Sequence, residues 1–190
     1  MKYTLKFRLW HWLNALVVLI MLGTVFLRET FLNKKENAQL LMTKLSDMGN
    51  DITIEDATIL AKALRENMWQ WHIIFGYALA FLVVYRIILI FIDNSQRESF
   101  GSLTLHKKAV RVLYCLFYGA IVFMSVSGLA IHFHEVLSIT KELVENIKEM
   151  HESIYVAILV FVPLHIAGVV IADATEENGL ISTMINGKKV

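Results

Sequence analysis

The chain has 190 residues, of which 56% are hydrophobic and 18% charged, with a formal net charge of +1. That is one domain by length but too apolar for an ordinary soluble domain of this size. Near-neutral charge, with no basic stripe carrying interleaved aromatics, excludes a nucleic-acid-binding protein, and the single cysteine, Cys115, excludes an internal disulfide, a covalent C-x-x-C-H haem site and a self-contained iron–sulfur cluster.

Four apolar runs follow in order, Leu9 to Leu27, Trp69 to Ile92, Ala109 to Ile131 and Ile154 to Ala172. Each has about the 20 residues that a helix needs to cross roughly 30 Å of hydrocarbon. The runs lack Gly-Pro turn signals and two-residue alternation, so spanning helices are expected rather than barrel strands. The first run has the basic start of a signal peptide, Lys2, Lys6 and Arg8. No A-x-A-like site follows it, it is long for such a segment, and His11 sits within it, so it reads as a retained span. The connection 28–67 is too long for a plain loop. Within it Thr53 and Asp56, followed by Ala57, Leu60, Ala61 and Leu64, predict a capped amphipathic helix feeding the second span. Such a helix suits the outer membrane surface, a docked partner or a simple cover over the bundle. The predicted fold is all-α: a single domain over 1–190, a transmembrane four-helix bundle with an extra amphipathic helix in the first outer loop, 28–67.

Four spans place both termini on one side. That side carries Lys2, Lys6 and Arg8, then Arg97, Lys107, Lys108 and Arg111 around the connection between spans two and three. By the positive-inside tendency it is cytoplasmic, which predicts a multi-pass protein of the cytoplasmic (inner) membrane. The bias is partial, because the first outer loop holds Lys34, Lys35, Lys44, Lys62 and Arg65. Trp10, Trp12, Trp69 and Trp71 all fall at span ends, where indoles suit a membrane interface.

Seven histidines are present. His11, His72, His151 and His165 lie in or beside spans one, two and four, where an imidazole without a partner is costly. His151 and His165 are 14 residues apart. On a helix that is about 21 Å of rise and a return to within about 40° of one face. One helix therefore presents two rings to two layers of the bundle. By depth His11 matches His165 on the inner side and His72 matches His151 on the outer side, an arrangement suited to two six-coordinate haems. Arg86, 14 residues after His72, shares its face and lies at the depth of the inner pair, where a haem propionate would supply its counter-charge. Gly76 and Gly168, near His72 and His165, remove bulk where a macrocycle would approach, although glycine also serves close helix packing. A lone intramembrane histidine is usually a hydrogen-bonded packing residue; four matched in depth favour ligation. Zinc is disfavoured, since no acidic or thiol ligand accompanies the pairs and they are too far apart to share one ion. His106, His132 and His134, at the ends of span three, read as interfacial, with His132 or His134 an alternative outer ligand.

These residues resemble the bacterial cytochrome b-561 and nickel–iron hydrogenase b-type cytochrome family, which also looks like the gamma subunits of formate dehydrogenases. The resemblance rests on R-L-W-H-W-L-N-A from Arg8 to Ala15, W-x-W-H-x-x-x-G from Trp69 to Gly76, Arg86, Ser127-Gly128, His151-Glu152, H-I-A-G from His165 to Gly168 and the tail from Glu177 to Lys189. It implies two non-covalent b haems ligated by His11 with His165 and by His72 with His151. It also implies electron transfer between the membrane quinone pool and an outer-face redox partner, such as a hydrogenase or a cytochrome, as a subunit of a membrane oxidoreductase complex. The long first outer loop departs from compact stand-alone members and favours a partnered subunit. Asn14, Arg111 and Tyr114 are candidate polar liners of a quinone pocket, each also suited to packing or anchoring. A stand-alone oxidoreductase of superoxide type and a haem-free membrane anchor are the competing readings. Association into a homo-oligomer stays open.

Overall fold

The computed structural model describes residues 3–92, 100–175 and 178–188. Lys2, Arg97, Glu177 and Lys189, used above for orientation and for the tail, lie outside these residues. The described residues form α1 (Leu5–Glu29), α2 (Lys34–Asp47), α3 (Ile54–Ile92), a 3-10 turn (Phe100–Ser102), α4 (Leu105–His132), α5 (Lys141–Thr175) and α6 (Leu180–Asn186), with no strand among them. Helices α1, α3, α4 and α5 are long and apolar enough to cross a membrane, and only 11–28% of the residues in their apolar windows are buried. The apolar side chains left outside need an apolar solvent, so the chain is an all-α, multi-pass membrane protein.

Each spanning helix extends beyond its apolar run. Helix α3 has 39 residues, about 58 Å at 1.5 Å per residue and well beyond a hydrocarbon core. Its start is fixed by the expected cap: Thr53 Oγ1 accepts from Asp56 N at 3.1 Å and donates to Asp56 Oδ2 at 2.9 Å. The amphipathic segment after Thr53 is not a separate element; it runs unbroken into the second span. The additional helix of the outer loop is α2, whose N-terminus is capped by Asn33 accepting from Lys35 N and Glu36 N.

The chain divides into two compact units, Val17–Gly76 and Met1–Leu16 with Tyr77–Val190. In the first, α2 packs on the start of α3 through small residues. Ala38, Ala57 and Ala61 are at most 1% exposed and are flanked by Leu41, Met42 and Ile52. In the second, α4 packs along α5, and segments of α1 and α3 join them. Phe117 stacks on Phe161 at 3.9 Å between ring centroids and ties α4 to α5.

The C-terminal segment folds back within this second unit. Asp173 Oδ1 accepts from Ile181 N at 2.9 Å and caps α6. At the other end of α6, Arg8 Nε donates to Met184 O at 3.1 Å, its Nη2 donates to Ile185 O, and Trp12 Nε1 reaches Met184 O at 3.3 Å. A helix C-terminus leaves carbonyls without donors, and a guanidinium satisfies both their hydrogen bonding and their partial charge. Gly187 closes the helix at φ +76, and a Cβ there would collide with the Arg8 guanidinium.

Because Ala61 is 1% exposed against α2, Ala61→Leu should overpack the hairpin by about 1–3 kcal/mol. Limited proteolysis of detergent-solubilised protein should then cut within 34–47 faster than in the wild type, with Ala63→Leu, on an exposed position, as the unchanged control.

Candidate functional site

Three of the spanning histidines meet a hydroxyl at Nδ1. An imidazole N–H in hydrocarbon needs an acceptor, and the free-energy cost of leaving it unpaired is about 1–3 kcal/mol. On α5, His151 Nδ1 lies 2.8 Å from Ser127 Oγ of α4. On α3, His72 Nδ1 lies 2.7 Å from Thr24 Oγ1 of α1. One α5 face further along, His165 Nδ1 lies 3.2 Å from the Tyr114 hydroxyl. Ser127 and Thr24 are buried, at 3% and 7% exposure.

The direction of two of these bonds follows from the hydroxyl's other partner. Ser127 Oγ donates its hydrogen to Phe123 O at 2.6 Å, and Thr24 Oγ1 donates to Met21 O at 2.7 Å, both within their own helices. A hydroxyl has one hydrogen, so towards the imidazole each oxygen accepts. That arrangement favours the Nδ1–H tautomer of His151 and His72, with the lone pair on Nε2. These two hydroxyls were not anticipated as site residues, although Ser127 belonged to the S-G motif; the available signal was a hydroxyl isolated within an otherwise apolar run.

His11 and His165 come together in the unit that contains both, with ring centroids 6.1 Å apart and planes at 65°. Aromatic rings frame them. Phe161 stacks on His165 at 5.7 Å and 6°, Tyr114 meets it edge-on at 5.7 Å, and Phe7 lies 6.4 Å from His11. Pro163, just before His165, withholds the backbone donor that Leu159 O would otherwise receive in α5. His151 belongs to the same unit and His72 to the other.

Arg86 lies in an aromatic cage, its guanidinium carbon 4.8 Å from the Phe7 ring, 5.1 Å from Trp10 and 5.5 Å from Tyr118. Cation–π attraction holds such a group when it is desolvated, yet Arg86 Nε is buried without a hydrogen-bond partner, as is Asn14 Oδ1. Trp10, expected at an interface, is instead 5% exposed and donates from Nε1 to Leu82 O at 2.8 Å. Its neighbour Trp12 is exposed. Of the proposed quinone liners, Asn14 is buried, Tyr114 engages His165 and Arg111 is half-buried. His106 and His132 are exposed, His132 against Tyr77 at 5.8 Å, and His134 Nδ1 donates to Ile131 O at 2.9 Å. A Cβ on Gly168 would meet nothing within 4 Å, and one on Gly76 only Met21 Cε at 4.0 Å.

The fold and these residues define a multi-pass helical membrane protein whose interior polar groups are organised around imidazole rings. Residues 2–187 match the model of the prokaryotic cytochrome b561 family, and the chain belongs to that family. It is a membrane b-type cytochrome of electron transfer, which binds haem b. No curated relative and no solved structure matches the chain.

The residues present fit that cofactor. With metal–nitrogen bonds of about 2 Å and ring centroids about 1 Å behind each nitrogen, two imidazoles across one iron stand roughly 6 Å apart, centroid to centroid. His11 and His165 stand 6.1 Å apart. The Nδ1–H tautomer favoured at His72 and His151 would leave Nε2 as the nitrogen able to bind a metal, as in ligands whose other nitrogen is hydrogen-bonded.

Trp10→Phe should cost about 1–3 kcal/mol, since it deletes a buried hydrogen bond and a packed ring beside Arg86. Trp12→Phe, which deletes only a solvent-exposed hydrogen bond to Met184 O, should cost less, about 0.5–1 kcal/mol. Thermal unfolding in detergent measures the difference.

Proposed function

We propose that the chain is a single di-haem cytochrome b domain over 1–190, spanning the cytoplasmic membrane with both termini inside, that relays electrons between an outer-face redox partner and the membrane quinone pool. His11 with His165 holds the inner haem b, and His72 with His151 the outer one. Bound haem supplies the one-electron change at iron; the protein supplies axial nitrogens, orientation and a dry surrounding. The observation that carries this reading is the 6.1 Å separation of the His11 and His165 rings. The 14-residue interval between His151 and His165 on α5 supports a second layer about 21 Å away along the same helix.

The roles of the other residues follow from their chemistry. Arg86, caged by Phe7, Trp10 and Tyr118 and lacking a partner at Nε, pairs a propionate of the inner haem. Asn14, with a buried acceptor one turn beyond His11, and Arg111 line the approach of a quinone on the same side. The projecting start of α3, together with α2 packed on it, faces the outer redox partner.

The wild-type protein purified from haem-replete cells should give a pyridine haemochrome of two haems b per chain. His165→Ala should retain one, and His72→Ala should retain the other, recognised by different midpoint potentials. A colourless wild-type protein would falsify the reading, and equal loss of both haems in each variant would overturn the pairing. Chemically reduced protein should be reoxidised by a soluble quinone analogue.

Arg86→Leu removes a cation near the inner haem and should lower that haem's midpoint by an amount on the order of 1–2 kcal/mol per electron, leaving the other unchanged. Potentiometric titration followed in the alpha band reads both. An even shift of the two potentials would remove the propionate assignment.

A further inference from the structure

We infer that Thr24 and Ser127 are positioning residues that fix the tautomer and the electron-donating strength of His72 and His151, so that they set the potential of the outer haem. The inference rests on the proposed ligation of those histidines. What carries it is a repeated arrangement in two separate places. A helix-borne hydroxyl gives its only hydrogen to a carbonyl of its own helix and turns its oxygen to the Nδ1 of a histidine on another helix. Thr24 bonds back to Met21 O and Ser127 to Phe123 O, so neither hydroxyl can rotate its hydrogen towards the ring without leaving that carbonyl acceptor.

Two consequences follow. The unfavoured tautomer, with hydrogen on Nε2, would set a bare Nδ1 lone pair against a hydroxyl lone pair, so the rings are selected for iron before it arrives. Once iron is bound, a hydroxyl oxygen accepting from Nδ1–H draws that hydrogen outward and makes Nε2 a better donor. A stronger donor favours ferric over ferrous iron and lowers the midpoint potential. The inner ligand His165 has a phenol in this place, and among the described residues no second bond from Tyr114 to a helix carbonyl fixes its hydrogen as in the other two. The outer haem is therefore the one whose ligand strength is set twice by the same device.

Thr24→Val and Ser127→Ala delete the acceptors with little change of volume, and Thr24→Ser and Ser127→Thr restore them. In intact protein, each deletion should leave the haem count at wild-type value and raise one midpoint potential. A roughly tenfold change in the ferric-to-ferrous affinity ratio corresponds to about 59 mV for a one-electron couple. Low-temperature EPR of the oxidised protein should shift the low-spin g-values of the same haem, and both conservative variants should return potential and g-values to wild type. Full haem content with both potentials unmoved in the deletions would overturn the inference, as would a shift that the conservative variants fail to reverse. If Thr24→Val moved one haem and Ser127→Ala the other, the orienting role would stand and the pairing of His72 with His151 would fall. A wild-type protein without haem would instead end the reading on which the inference rests.

Discussion

Inside hydrocarbon no water accepts a stray proton, and this constraint orders the contacts of His72, His151 and His165 within the spans. An imidazole carries one N–H when neutral, so each buried histidine requires an acceptor, and a hydroxyl used as that acceptor must first dispose of its own hydrogen. The helix supplies the answer through its carbonyls. Phe123 and Met21 accept from Ser127 and Thr24, which in turn accept from His151 and His72. The chain of donors thus ends on backbone. An interior lined with imidazoles arises from satisfying hydrogen bonds, with no charged side chain beside Ser127 or Thr24 needed to hold the rings.

Helix α5 shows how one element serves two layers. It carries His151 and His165, and each ring is addressed by a different hydroxyl of the same neighbouring helix, Ser127 and Tyr114 of α4. Between them Phe117 and Phe161 stack and hold the two helices in register. The aromatic surroundings also differ: His165 is walled by Phe161 and Tyr114, and Arg86 is walled by Phe7, Trp10 and Tyr118. The two rings of α5 thereby have unequal surroundings although one helix carries both.

Much of this was legible in the residue order because membrane helices announce themselves by length and hydropathy, and because 14 residues return a helix to nearly the same face. That placed all four spans, and it singled out His11, His72, His151, His165 and Arg86 as candidates, of which His11 and His165 come together. What the order concealed depends on neighbours in space. Thr24 and Ser127 are one hydroxyl each in long apolar stretches, and nothing in their own segments says that a histidine ring faces them. Trp10 looked like an interfacial indole because it lies near a span end; a carbonyl at Leu82 draws it inside. Helix α2 was hidden because its contact with α3 uses alanines, which carry little hydrophobic signal but allow close approach. The continuity of α3 through Trp69 was obscured by its change from an amphipathic pattern to a uniformly apolar one.

The grip of Arg8 on the carbonyls of Met184 and Ile185 joins positions 176 and 177 residues apart. Such a clasp closes only after nearly the whole polypeptide has left the ribosome. His11 sits less than one turn beyond Arg8, and the ring it meets belongs to residue 165. The first span must therefore wait in the bilayer, its imidazole uncommitted, while three more are inserted. The start of the first span is thus fastened from far along the chain, by carbonyls of Met184 and Ile185 and by the ring of His165.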